Sequence, residues 1–275
     1  MPLCILGIMK KLFLLLMCGA ILLVSSHASA QIFVEQGKVE HDVQPGETIS
    51  DKIFVHNTSE KTISLDIYWE DFEYQSPFDG SKKFLPPGTS SLSASNWVKF
   101  SPINAVIEPY GKKEIAYTIN VPADAKGGFY GVLFFEKDPV ESEFQRGLSI
   151  VTRVGTLFFI ETTTKTKSIE WAGVQVLDHK ISGALINKGD VIAIPDGVYY
   201  VMDKEGLVVD RGSIDKVYLP AGQEVDYGLT LSDQLPSGAY TIVLTMDLQD
   251  GDVLVREIDV QKDAYSQIDV LEIRE

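Results

Sequence analysis

The chain has 275 residues, a formal net charge of −15 at pH 7 and two cysteines. A chain this acidic argues against nucleic acid and against an anionic membrane surface as partners, because both carry charge of the same sign. Both cysteines fall within the first thirty residues, so the remainder is predicted to lack disulfides, thiolate nucleophiles and cysteine-bound metals.

Residues 1–30 are predicted to be a secretory signal peptide. Lysines at positions 10 and 11 precede an apolar run at 12–24, and Ala28-Ser29-Ala30 forms a small-x-small cleavage site before Gln31. The apolar run is too short to cross a bilayer comfortably. We therefore expect an exported protein of the periplasm or cell surface, with no integral membrane anchor.

The start and the processing of the chain have alternatives. Met9 is an alternative start, because Met-Lys-Lys is a more usual opening. An uncleaved anchor is one alternative to cleavage. A lipoprotein cut before Cys18 is another, disfavoured because Met17 stands where a small residue is preferred. Cleavage after Ala30 removes two lysines and takes the net charge from −15 to −17.

Strand signals dominate the rest of the chain, as short runs of β-branched and aromatic residues broken by Gly, Pro, Asn and Asp. In the first half, strands are predicted at 31–39, 50–57, 61–70, 97–100, 113–121, 128–136 and 149–161. Residues 71–95 lose all periodicity and are expected to form a long loop, or an insertion with a short ribbon. Residues 137–148 are predicted to be a polar loop.

The second half begins after a polar linker, TTTKTKS, at 162–168. Its strands are predicted at 169–178, 180–187, 197–203, 206–210, 213–218, 224–231, 239–247 and 252–260. Asp203–Gly206 and Asp250-Gly251 are hairpin turn signals. Residues 263–275 alternate weakly, which leaves a terminal strand or a frayed tail open.

One phrase occurs twice, as PYGKKEIAYTINVPADAKGGFY at 109–130 and PAGQEVDYGLTLSDQLPSGAY at 220–240. Two copies about 110 residues apart predict two tandem immunoglobulin-like β-sandwich domains, since such a domain has roughly 100 residues. We place them at 31–166 and 167–262, with 263–275 as a C-terminal tail. Tyr130 and Tyr240 are interpreted as structural, each hydrogen-bonding back across a corner.

No catalytic constellation is found, so the protein is predicted not to be an enzyme. His41, His56 and His179 have no metal-ligand spacing, and the sequence contains no nucleophile elbow, phosphate loop or dinucleotide fingerprint. The acidic DLQDGD at 247–252 is interpreted as a turn, because its spacing does not fit a calcium loop. No cofactor or metal is predicted.

Two sets of residues are candidates for binding a partner. The first is a group of aromatic residues in and beside the 71–95 loop, since exposed aromatics on a loop can stack on sugars or anchor a protein. They are Phe72, Tyr74, Phe78, Phe84 and Trp97. The alternative is that they cover one end of the core.

The second set lies on the strand predicted at 149–161, which is apolar on both faces. Such a strand is either covered on both sides or offered to another chain. If it is a donor edge, Arg153 and Gly155 mark its exposed row. If it is core, both sides are covered within the domain.

Residues 94–136 resemble the N-terminal domain of the WxL-interacting cell-surface proteins, which is described as peptidoglycan-binding. The resemblance rests on a Trp-x-x-Phe-x-Pro step from Trp97, a Pro-x-Gly strand entry at 109–111, and a Val-Pro followed by a Gly-rich entry to an apolar strand. It covers most of 31–262 and implies an Ig-like domain that engages peptidoglycan or a surface protein.

The layout also resembles the periplasmic pilus chaperones, which have two sandwiches and a loop before a long closing strand. SIVTRVGTLFFIE at 149–161 is similar to that strand. The resemblance implies strand lending to a subunit whose C-terminal carboxylate is held by two basic residues. Here Gly155 follows Arg153-Val154 where one is expected, and 31–40 contain only Lys38, so the usual clamp is not expected.

The sequence therefore favours an exported, non-enzymatic binding or scaffold protein of the bacterial cell envelope that engages a wall polymer or a surface protein. The alternative is a periplasmic chaperone-like factor that lends an edge strand to an exported or pilus subunit. The predicted partner is an exported or surface protein, with peptidoglycan as a further candidate.

Overall fold

The computed structural model describes residues 31–137, 151–177, 180–232, 234–249, 253–265 and 267–274. The predicted signal peptide, nearly all of the predicted polar loop, His179 and the predicted Asp250-Gly251 turn lie outside these residues. Every element of the described chain is a β-strand, and no helix within it has the length and hydropathy needed to cross a membrane.

The first sandwich is built from ten strands in two sheets. They are β1 (Ile32–Val34), β2 (Lys38–Val43), β3 (Thr48–Asn57), β4 (Ile63–Tyr74), β5 (Lys82–Leu85), β6 (Val98–Ser101), β7 (Asn104–Ile107), β8 (Lys112–Asn120), β9 (Gly128–Lys137) and β10 (Arg153–Thr162). One sheet has the order β1-β3-β8-β6, and the other β2-β10-β9-β4-β5 with β7 paired to β4. Alternating side chains from both sheets meet in the core, where Ile53, Ile115 and Phe158 are fully buried.

The second sandwich is built from eight strands. They are β11 (Ile169–Leu177), β12 (Lys180–Asn187), β13 (Asp196–Met202), β14 (Val208–Ser213), β15 (Glu224–Thr230), β16 (Gly238–Asp247), β17 (Val253–Lys262) and β18 (Ile268–Arg274). The sheet β11-β12-β15 faces the sheet β14-β13-β16-β17-β18 across a core that contains Leu185, Ile242 and Ile258. The prediction of two tandem immunoglobulin-like sandwiches is confirmed.

The N-terminal stretch of the first sandwich changes sheet. β1 pairs antiparallel with β3, whereas β2 pairs parallel with β10, from Lys38 opposite Leu157 to Val43 opposite Thr162. The chain crosses between the sheets at residues 35–37. Because β2 begins opposite Leu157, it covers only the C-terminal part of β10.

Several strands depart from the prediction for local reasons. β5 and β7 have four residues each, too few to show a clear alternation. Gly206 has a φ of +80° and donates its N–H to the Asp203 carbonyl, so the turn extends into the strand predicted at 206–210. A single strand, β14, replaces the two strands predicted at 206–210 and 213–218. Within the segment predicted as the 263–275 tail, β18 pairs along β17.

The two copies of the repeated phrase end differently. The Tyr240 hydroxyl donates to the Pro236 carbonyl at 2.9 Å, which is the predicted corner. The Tyr130 hydroxyl instead accepts the Ile192 N–H at 2.9 Å and donates to Glu161 at 3.2 Å. The prediction for Tyr130 was therefore wrong in its partner, because this residue faces the second sandwich.

Candidate functional site: an open strand edge

The structure places most of the candidate aromatic residues inside the molecule. Phe72, Tyr74, Phe78 and Trp97 are buried, and only Phe84 is exposed, at 38%. The expectation of an exposed aromatic loop is corrected for these four. Trp97 packs on Phe129 in the first sandwich, with ring centroids 3.9 Å apart.

The other three buried aromatic residues connect the two sandwiches. Residues 71–74 continue β4 rather than forming a loop, and β4 and β5 form a hairpin whose tip reaches the second sandwich. The Tyr74 ring stacks on the Tyr218 ring with centroids 4.9 Å apart, and the Tyr218 N–H donates to the Phe78 carbonyl at 2.8 Å. Phe72 packs against Phe159 at the same junction. These side chains therefore hold the two sandwiches together.

A buried carboxylate anchors the rest of the predicted loop. Asp71 accepts hydrogen bonds from the N–H groups of Thr89 and Ser90, at 2.9 and 3.1 Å, and from the Ser93 hydroxyl at 2.7 Å. Asp71 is fully buried, so its oxygens are satisfied by these donors rather than by water. The segment 89–93 is consequently ordered by hydrogen bonds to a residue distant in the sequence, and not by any alternation of its own residues.

The second candidate set lies at a strand edge that is open within the described residues. β10 pairs antiparallel with β9 from Arg153 to Glu161. On its other side β2 pairs only from Leu157 onward, and the Leu157 N–H donates to the Gly37 carbonyl at 3.0 Å. No strand of the described chain pairs with residues 153–156 on that side.

The hydrogen-bond pattern shows which backbone groups face the open side. The Lys137 N–H donates to the Thr152 carbonyl. The even-numbered residues of β10 therefore form the hydrogen-bonded pairs with β9, and the odd-numbered residues form the non-hydrogen-bonded pairs. The N–H and carbonyl groups of Arg153 and Gly155 therefore point away from β9, into the open edge. Arg153 and Gly155 are the two residues that the sequence analysis named for this strand on the condition that it is a donor edge.

The Arg153 side chain is fixed on the outer face of the sheet, beside this edge. Its guanidinium lies 4.0 Å from the Phe134 ring centroid and 5.4 Å from that of Phe84. It donates to the Tyr68 hydroxyl at 3.0 Å and to the Glu70 carboxylate at 3.1 Å. The structure thus brings together Phe84 and Arg153, two candidates that lie far apart in the sequence.

The electrostatics of this group keep the arginine charged. Hydrogen bonding to Tyr68, and then to Glu70, raises the pKa of the Arg153 guanidinium above its ordinary value. Partial burial, together with the hydrogen bond to Glu136, raises the pKa of the Tyr68 hydroxyl. Sequence reasoning missed Tyr68 and Glu70, although their alternation with buried Trp69 along β4 indicates that they share the outer face.

Gly155 leaves room for a neighbouring aromatic ring at the same edge. A Cβ atom at this position would lie 2.7 Å from Val132 Cγ2 and 2.9 Å from Phe134 Cε1. The absence of a side chain lets the Phe134 ring lie over the strand, beneath the Arg153 guanidinium. The open row of backbone groups is therefore flanked on its outer face by a packed Arg–Phe pair.

A polar cleft lies between the sandwiches at the other end of β10. It is lined by Lys38, Glu40, His41, Asp42, Phe159, Glu161, Lys165, Lys167, Ile192, Ile194 and Gln249. Lys165 forms ion pairs with Asp42 at 2.6 Å and with Glu161 at 2.9 Å, and Lys38 pairs with Glu40. Lys165 and Lys167 of the predicted linker thus both face this cleft. Their alternation in TTTKTKS is consistent with a shared side of the chain, but it was not used to predict the cleft.

Comparison with solved structures identifies a shared fold. A chain of the chaperone–tip adhesin complex of CFA/I fimbriae biogenesis matches with a TM-score of 0.51 at 14% identity, covering 82% of this chain and 97% of its own. The class 5 fimbriae chaperone CfaA matches with a TM-score of 0.50 at 14% identity, covering 88% of this chain and 100% of its own. At such identities the likeness is one of fold.

The chain therefore has the two-sandwich fold found in these fimbrial chaperones. No protein-family model matches it, and no curated protein sequence matches it. The resemblance to the WxL-interacting proteins accordingly gains no support, whereas the resemblance to the pilus chaperones is supported at the level of architecture.

Proposed function

We propose that the protein is an exported chaperone-like binding protein that lends the open edge of β10 to an extended segment of another exported protein. The observation that carries this proposal is the unpaired backbone row at Arg153 and Gly155. The shared fold supports it, because one matching chain belongs to a complex of a chaperone with a tip adhesin. The function is non-enzymatic binding.

The edge binds by main-chain hydrogen bonding. An added strand accepts from the N–H groups of Arg153 and Gly155 and donates to their carbonyl groups, each bond contributing about 1 kcal/mol. Nearby side chains supply selectivity, since Phe84 is exposed beside the arginine. The partner's segment ends or turns before Leu157, because β2 already occupies the edge from that residue.

The polar cleft between the sandwiches differs from a clamp in which two free basic residues hold a terminal carboxylate. Lys38 and Lys165 both already have carboxylate partners, so a terminal carboxylate entering the cleft competes with Glu40, Asp42 and Glu161 for them. Recognition in this protein therefore rests mainly on the strand edge. This agrees with the sequence, in which the expected clamp residues are replaced.

The scaffold function favoured by the sequence ranks second. Its candidate surface was the aromatic loop, and four of the five candidate aromatics are buried. No contact in the described residues favours peptidoglycan as a ligand. An exported or surface protein remains the proposed partner.

Two variants of one glycine test the strand edge. Gly155→Pro removes the outward N–H and leaves the ladder to β9 intact, while Gly155→Ala carries the same Cβ contacts and keeps the N–H. We expect both variants to melt at similar temperatures. In pull-downs from envelope extract, the proline variant should recover at least about tenfold less partner than the alanine variant. Equal recovery by the two variants would contradict strand lending.

Export is part of the same proposal. We propose cleavage after Ala30, so that the mature chain begins at Gln31 in the periplasm or at the cell surface. Mass spectrometry of the exported protein measures this terminus directly. A lipidated terminus at Cys18 would refute it.

A further inference from the structure

The outer face of the five-stranded sheet in the second sandwich carries an apolar surface that nothing in the described chain covers. Alternation places Val201, Ile242 and Ile258 inside, all fully buried. Their neighbours point outward, and several are large and apolar. Val198 is 38% exposed, Tyr200 37%, Val253 51% and Val255 40%. Together with the less exposed Val243, these residues define the valine–tyrosine face.

The margins of this face carry opposite charges in a single row. Tyr200 pairs with Arg211 on β14 and with Val243 on β16, and Val243 pairs with Glu257 on β17. The row across the sheet is therefore Arg211, Tyr200, Val243, Glu257. Arg211 stands at one end of these four residues and the Glu257 carboxylate at the other, with apolar side chains between them, and the row continues to Arg274 on β18, opposite Glu257.

We infer that the valine–tyrosine face is the interface between two copies of this chain. A two-fold axis parallel to the strands, midway between β13 and β16, places β14 of one copy over β17 of the other. The two-fold rotation reverses the order of the row in the second copy. Arg211 of each copy therefore faces Glu257 of the other, and Tyr200 of each copy faces Val243 of the other. Sheets packed in this way lie about 10 Å apart, a separation that these side chains span.

The charge arrangement selects a second copy over an unrelated occupant. Within the described chain, Arg211 has no carboxylate within ion-pair distance, while Glu257 is half-exposed and pairs with Arg274 at 3.2 Å. Arg211 and Glu257 stand three strands apart, about 14 Å, so they cannot pair within one molecule. The two-fold pairing gives each copy both contacts at once.

A charge-exchange experiment tests the interface on the chain from Gln31 onward. Wild-type protein should show a concentration-dependent monomer–dimer equilibrium in sedimentation velocity. In a dimer of Arg211→Glu or of Glu257→Arg, residues 211 and 257 carry the same charge at both of the symmetry-related contacts. Each variant should therefore weaken the dimer at least about tenfold. Mixing the two variants should restore dimers, because each mixed pair regains both Arg–Glu contacts.

Two controls separate this interface from other effects. Glu272→Arg makes the same charge change beside Arg274 but lies outside the row, so it should leave dimerisation unchanged. Gly155→Pro should also leave it unchanged, which keeps this inference independent of the proposed strand lending. Melting temperatures verify that each variant is folded.

Three results would overturn the inference. They are a chain that stays monomeric up to about 1 mM, a dimer that Arg211→Glu does not weaken, and variants that fail to associate when mixed. Tyr200→Ser supplies a second measurement, because removing the central ring should weaken the wild-type dimer without altering any charge.

Discussion

The Tyr130 hydroxyl lies 2.9 Å from the backbone nitrogen of Ile192 and accepts its hydrogen bond across the junction between the two sandwiches. Both residues are buried, and burial raises the pKa of the Tyr130 hydroxyl, so it stays protonated and also donates to Glu161. The contact is reinforced where the Gly128 N–H donates to the Asp190 carbonyl at 3.1 Å. Tyr130, at the end of the repeated phrase in the first sandwich, therefore stabilises the junction, whereas Tyr240 stabilises a corner within the second sandwich.

Tyr130→Phe should loosen the junction. It leaves the buried Ile192 N–H without its acceptor, a change that costs about 1–3 kcal/mol. Tyr240→Phe is the matched control, because it removes one local hydrogen bond and should cost about 1 kcal/mol. Urea unfolding measures both, and residual dipolar couplings report the relative orientation of the sandwiches. An altered orientation in Tyr240→Phe but not in Tyr130→Phe would contradict the assignment.

Tyr74→Ala should destabilise the protein by about 3 kcal/mol or more, because it removes a buried ring from the junction. Phe84→Ala, on the neighbouring strand of the same hairpin, removes an exposed ring and should cost less than about 1.5 kcal/mol. Thermal and urea unfolding compare the two. Equal losses would mean that the hairpin does not support the second sandwich.

Two buried asparagines occupy equivalent places in the two sandwiches. The Asn57 side-chain amide donates to the Lys61 carbonyl at 2.7 Å and to the Ile107 carbonyl at 3.0 Å. The Asn187 side-chain amide donates to the Val191 and Leu219 carbonyls, each at 2.8 Å. Each amide thus joins its own turn to the segment that enters the Pro-x-Gly phrase.

Asn57→Ala and Asn187→Ala should each cost about 2–4 kcal/mol, because several buried backbone groups lose their partners. Asn120→Ala is an exposed control and should cost less than about 1 kcal/mol. Tryptophan fluorescence separates the sandwiches, since Trp69 and Trp97 report the first and Trp171 the second. A small effect from either buried asparagine would show that water replaces its hydrogen bonds.

His41 makes stability depend on pH. Burial lowers the pKa of its imidazole below the ordinary 6.5, against smaller opposing effects of Asp51 and Glu47. The unfolded chain therefore binds more protons at this site, so the free energy of unfolding should fall as pH drops below 6.5 toward the folded-state value. His41→Gln should flatten this slope in urea titrations between about pH 5 and 8. An unchanged slope in His41→Gln would contradict this assignment.

Local patterns in the sequence predicted most of the strands. Alternation in 61–70 and 113–121 predicted half-buried strands, and the repeated phrase predicted two sandwiches, because strand period and turn chemistry are properties of neighbouring residues. The same reasoning failed where long-range contacts order the chain. Residues 89–93 carry no periodicity and are held by Asp71, and the segment at 71–74 continues β4 because the second sandwich covers its aromatic side chains.

The open edge of β10 depends on both levels of structure. The sequence by itself determined that β10 is apolar on both faces and that Arg153 and Gly155 share one side, since the pleat alternates with a period of two. Only the tertiary structure decided which backbone groups are open, because that depends on where β2 changes sheet and meets Leu157. It also decided that Phe72, Tyr74 and Phe78 are buried while Phe84 is exposed. Exposure is set by the placement of the second sandwich, which no local pattern encodes.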